Sequence, residues 1–154
     1  MRRKAAIFIA VPALLAAVAL AVTANGASPP AEITIHATSQ LEHAHAVDNP
    51  PAGRSAGDGL VFTERLLDDH GRVIGHDAAS CTALFGKRSL CTGTYFLHAG
   101  QVMVQLRQPG LGGTLTYTQV ITGGTRRYTR ATGSVTVDQQ PAGDHFTFHI
   151  HLPG

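Results

Sequence analysis

Few side chains in this chain have the means to do chemistry. Glu64 stands in Gly59–Leu67, GLVFTERLL, where alternation sets it on one strand face with Leu60, Phe62 and Leu66. If that face lines a cavity, the carboxyl loses its water and its pKa rises. It then serves as a neutral acid or a general base near neutrality. The bland alternative is a strand carboxylate paired with a base such as Arg107 or Arg130. The last run, HFTFHIHL, puts His145, His149 and His151 with Thr147 on the face opposite Phe146, Phe148, Ile150 and Leu152. Imidazoles two residues apart on a strand lie about 7 Å from each other, and His43-Ala44-His45 repeats the spacing. No further ligand sits at a diagnostic spacing, so no metal site is assigned and the histidines read as a solvated face. Arg126, Arg127 and Arg130 around Tyr128 offer a grip for an anionic ligand, or simply a solvated turn. Ser80, Ser89 and Ser134 lack an elbow motif, and Gly123-Gly124-Thr125 lacks the spacing of a phosphate loop.

The elements that must position these groups begin after a leader. Arg2, Arg3 and Lys4 precede an apolar run that closes on Val22-Thr23-Ala24. This is the anatomy of a secretory signal peptide over residues 1–24, cut after Ala24, and it predicts a secreted product. A stable membrane anchor is the competing reading, since about 20 apolar residues span a bilayer; Pro12 and the alanine-rich run argue against it. Three of the 12 basic residues and none of the 10 acidic ones lie in this segment, leaving 9 against 10. Without a basic stripe there is no footprint for nucleic acid. Cys81 and Cys91 are the 2 cysteines. Outside the cytoplasm an even count favours a disulfide over the alternative of a free reactive thiol, and Gly86 between them suits a hairpin that sets them opposite each other.

Residues 25–57 read as a leader with one strand, 32–38, and a long connection, 40–58, without apolar period. Residues 58–154 carry the remainder of the domain. Alternation predicts strands over 59–67, 73–85, 90–98, 101–108, 114–122, 128–137 and 145–152, with no helical period. The glycine pair 123–124 predicts a tight reversal. Eight antiparallel strands close into a barrel or stack as a two-sheet sandwich; the barrel is preferred because it leaves no open edge. Barrel-facing Val102, Val104 and Leu106, with Leu60, Phe62 and Leu66, then line its interior.

The hairpin wording, Ile121-Thr122-Gly123-Gly124-Thr125 with Tyr128, Ala131, Gly133 and Val135, resembles that of the allene oxide cyclase and dirigent families. Leu60-Val61-Phe62-Thr63-Glu64-Arg65-Leu66 resembles the cyclases' Val-Pro-Phe-Thr-Asn-Lys-Leu strand. Val73-Ile74-Gly75, Cys81, Gly93-Thr94-Tyr95-Phe96 and His145-Phe146-Thr147-Phe148 follow in the family's order. The resemblance implies an all-β, eight-stranded antiparallel barrel, often a homotrimer, with a largely apolar cavity. It also implies work without a cofactor, by holding a reactive molecule in one conformation. Glu64 stands where the cyclases have a cavity asparagine, and Cys81 where they have a free cavity cysteine. The dirigent Ala-Arg-Gly becomes Ala131-Thr132-Gly133, and Arg126 replaces a glycine.

The expected protein is a secreted barrel that takes a small apolar molecule and steers its cyclisation, isomerisation or coupling. Glu64 is its candidate catalytic group, and Leu60, Phe62, Leu66, Val102, Val104, Leu106 and Tyr128 are its candidate ligand contacts. The alternative is a binding or interaction module with a filled barrel and no chemistry.

Overall fold

A computed structural model describes residues 30–86, 88–109 and 115–154. The segment read as a signal peptide and the glycine break at 110–113 lie outside them. The strands are β1 (Ala31–Val47), β2 (Gly59–Leu67), β3 (Val73–Leu84), β4 (Arg88–Leu97), β5 (Gly100–Pro109), β6 (Thr116–Gly124), β7 (Thr132–Asp138) and β8 (His145–Leu152). Each pairs antiparallel with the next and β8 returns to β1, closing the barrel. The expected barrel is therefore the observed architecture, and closure gives every strand a neighbour on each side over at least part of its length.

Two segments differ from the sequence reading. β1 continues to Val47, so His43 and His45 are strand residues paired with Thr63 and Val61, not part of a loop. The register shifts between Leu41 and His43. Such a bulge breaks the period of two that marks a strand in sequence. The reversal after β6 is also not a tight turn. A short 3-10 turn, Arg126–Tyr128, intervenes before β7, and positive φ falls on Arg126 and Arg130. Gly124 is needed for close approach instead: a Cβ there would collide with the carbonyl oxygens of Gln101 and Tyr128.

The interior is divided. In one half Leu66, Val102, Val135, Val137, Phe148 and Ile150 have no exposed surface, and Tyr128 folds in from the 3-10 turn to join them. Three rings stand where this packed half ends. Tyr95 meets Phe148 edge-on with centroids 4.8 Å apart and Phe146 at 5.7 Å, a favoured aromatic geometry. Its hydroxyl donates to Gln119 Oε1 at 2.7 Å. Beyond these rings the barrel is hollow.

Candidate functional site

The hollow half is a cavity of about 470 Å³, within the range of roughly 300–1,000 Å³ usual for small-molecule sites. Strand pairing builds it in layers. Phe62 on β2 is opposite Ala79 on β3, Ala79 opposite Gly93 on β4, and Gly93 opposite Val104 on β5. Two small residues in succession leave the space that larger ones fill in the packed half. One layer further out, Leu60, Cys81, Cys91 and Leu106 are successive partners. The two cysteines form the disulfide, so the bridge is a piece of the cavity wall and Cys81 is not a free thiol.

The layer nearest the packed half is polar. Glu64 on β2 is opposite Asp77 on β3, and Asp77 opposite Tyr95 on β4. Both carboxyls point inward and are 9% and 5% exposed. Directly opposed residues place their Cβ atoms about 5 Å apart. The Glu64 amide donates to Asp77 Oδ1 at 2.9 Å, and the Ser39 hydroxyl to Glu64 Oε1 at 3.2 Å. Ser39 Oγ in turn accepts from the Asp144 amide at 3.1 Å, tying β1 to the loop before β8. Asp144, Tyr117 and Gln119 also line the cavity.

These surroundings set the protonation. Burial, then the charge of Asp144, pushes Glu64 up to about 7 against the opposing hydrogen bond from Ser39. Burial, then the charge of Glu64, pushes Asp77 up to about 7 although the Glu64 amide pulls the other way. Asp144 is raised, chiefly by burial. Burial and neighbouring charge thus hold both carboxyls toward the protonated form near neutrality, so the pair can offer a proton donor and a proton acceptor there. That is the requirement for general acid and base work on one bound molecule.

The sequence-derived residues divide between the two halves. Leu60, Phe62, Glu64, Val104 and Leu106 line the cavity; Leu66, Val102 and Tyr128 lie in the packed half. Arg107 and Arg130 do not pair with Glu64; both are exposed. Arg126 and Arg127 are exposed around buried Tyr128, so this group forms no pocket with the cavity. The β8 histidines line the outer face, where His149 approaches Glu32 at 3.9 Å. Among the described residues no group of three or more His, Cys, Asp or Glu could hold a metal ion, and no helix is long and apolar enough to cross a membrane. Sequence reasoning passed over Asp77, Ser39 and Asp144. Asp77 lies four residues before Cys81 and shares its face, so parity on β3 pointed to it. Nothing local marked Asp144.

No protein-family model and no curated protein matches the chain. Solved structures do. A pyocyanin demethylase superposes with a TM-score of 0.66 at 24% identity over 76% of this chain and 99% of its own. A Diels-Alderase from Streptomyces koyangensis gives 0.65 at 15% identity over 79% of this chain and 64% of its own. A pterocarpan synthase dirigent protein gives 0.62 at 11% identity over 91% and 98%. The chain shares the closed eight-stranded barrel fold of these proteins, a dirigent protein among them.

Proposed function

We propose that the protein binds a small, largely apolar molecule in the open half of the barrel and steers its cyclisation, isomerisation or coupling. The observation that carries this reading is a cavity of about 470 Å³ with apolar walls and a protonable carboxyl pair, Glu64 and Asp77, at its inner end. The walls fix the ligand's conformation, which is the larger part of catalysis by positioning. The neutral carboxyl hydrogen-bonds a carbonyl or hydroxyl of the ligand, and the ionised one accepts a proton. Every step in this scheme is performed by residues of the chain. Proteins of the same fold named as a Diels-Alderase and a pterocarpan synthase support a ring-forming reaction. A barrel filled end to end, the alternative, fits the half around Phe148 but not the half around Gly93.

The reading includes secretion, supported by the charge and hydropathy pattern of residues 1–24 and by a disulfide suited to an oxidising compartment. It includes the homotrimer that the family resemblance implies. Native mass spectrometry of the protein recovered from culture supernatant tests these points together: a chain starting at Asn25, a trimer and a retained small molecule are expected. The binding claim has a separate test in N-phenyl-1-naphthylamine, a neutral dye that fluoresces in apolar sites. Saturable binding at one site per barrel is expected, and no binding by the folded protein overturns the proposal.

A further inference from the structure

Resting on that reading, we propose that the molecule this cavity selects is a cation: an apolar body carrying a protonated amine or a cationic nitrogen heterocycle. Its charge sits against Glu64, Asp77 and Asp144. The cavity lining contains these three carboxyls and, among the described residues, no lysine, arginine or histidine. The cations are sorted to the outside. Arg65 and His76 pair with Glu42 on the outer surface at 3.1 and 3.3 Å, and Arg72 pairs with Asp68 at a turn. An anionic ligand would meet only like charge within.

A second observation points the same way. Glu64 and Asp77 are more than nine-tenths buried, yet each spends one oxygen on a protein donor, Ser39 Oγ and the Glu64 amide. The other oxygen of each accepts from no donor among the described residues, and both side chains line the cavity. These oxygens face the cavity, where they remain accessible to a bound group, so a ligand that supplies positive charge and donors finds acceptors ready for it. Tyr95 and Tyr117 line the same cavity and add no positive charge to it.

The groups facing the pair from every neighbouring element are Ser39 on β1, Tyr95 on β4, Tyr117 and Gln119 on β6, and Asp144 before β8. None of them carries positive charge. Burial and the charge of neighbouring carboxylates, Asp144 for Glu64 and Glu64 for Asp77, push both up to about 7, and a cation beside them opposes that and draws a proton from the pair. Affinity for a cation therefore rises with pH up to about 7 and levels off above it.

The test uses three naphthalene probes with one body and a fixed charge each: 1-naphthylmethyl-trimethylammonium, 1-naphthylmethanol and 1-naphthylacetate, titrated calorimetrically. Near pH 8 the ammonium is expected to bind at least about tenfold tighter than the alcohol, and the acetate weaker than both. Near pH 5.5 the ammonium's advantage over the alcohol is expected to fall about tenfold. In Glu64→Gln the ammonium-to-alcohol ratio near pH 8 drops toward its value in acid. The inference is overturned, with the binding proposal intact, if the alcohol binds as tightly as the ammonium at alkaline pH or if the ammonium's affinity ignores pH. Failure of all three probes in folded protein overturns both.

Discussion

Replacing Glu64 by glutamine should make the protein more stable in alkali and leave it unchanged in acid. The substitution keeps the side-chain shape and the oxygen that accepts from Ser39, and removes one charge from the buried pair. Glu64 titrates at about 7 in the folded protein against 4.5 for the ordinary carboxyl. Between those values the folded state holds more protons than the unfolded state. Stability therefore falls as pH rises through this window and stays low above it. At about 1.4 kcal/mol per tenfold change in proton affinity the move corresponds to about 3 kcal/mol, and water entering the open cavity reduces the expected difference to about 2 kcal/mol. Asp77 shares in the gain, because the charge of Glu64 is one cause of its own raised value. Urea denaturation in buffers from about pH 4.5 to about pH 8.5 reads the effect as a change of midpoint at constant slope. Wild type and Glu64→Gln should coincide at the acid end and separate steadily toward the alkaline end. A separation that does not vary with pH, or a variant less stable at the alkaline end, would refute the reasoning.

Other expectations follow from the divided interior. A Cβ at Gly93 meets the Ala79 Cβ and a Val104 methyl at ordinary contact distance, 3.4 Å, so Gly93→Val pushes its branches into the cavity; dye titration should show at least about tenfold weaker binding with strand content retained. Phe148 is fully buried against Tyr95, and Phe148→Ala should cost about 3–5 kcal/mol by urea denaturation. Phe62→Ala, on the cavity wall, should cost much less and instead weaken dye binding. Removing the Cys81–Cys91 bridge, which spans 10 residues, with a double Ser substitution should lower stability by about 2–3 kcal/mol; an unchanged melting temperature would show that the bridge constrains nothing.

Much of this architecture was legible in the sequence, because alternation and pairing obey the same period of two. The face of β2 that carries Leu60, Phe62, Glu64 and Leu66 was readable directly, and it is the interior face. Where that face changes from cavity to packed core was not readable, since both are apolar. Leu66 belongs to the packed cluster and Leu60 to the cavity wall, although both are leucines on one face of β2. The bulge after Leu41 hid the second half of β1, and Tyr128 proved to be a plug because the 3-10 turn carries it inward. The carboxyl pair was half visible. Glu64 stood out on an apolar face, while Asp77 sits in an alanine-rich strand with little contrast, and Asp144 reaches the site from a loop whose path depends on Ser39, 105 residues earlier.

The most direct test of the central claim, a hollow half-barrel with a protonable carboxyl pair at its inner end, is a carbon-13 NMR titration of the side-chain carboxyls. The chain has only three glutamates, Glu32, Glu42 and Glu64, so each glutamate resonance can be assigned by substitution. The account predicts that Glu64 and Asp77 change together near pH 7, well after Glu42, whose neighbours His76 and Arg65 help hold it below the ordinary carboxylate value. Midpoints for Glu64 and Asp77 at or below the usual carboxylate range would mean that the pair is solvated or neutralised, and would contradict the account.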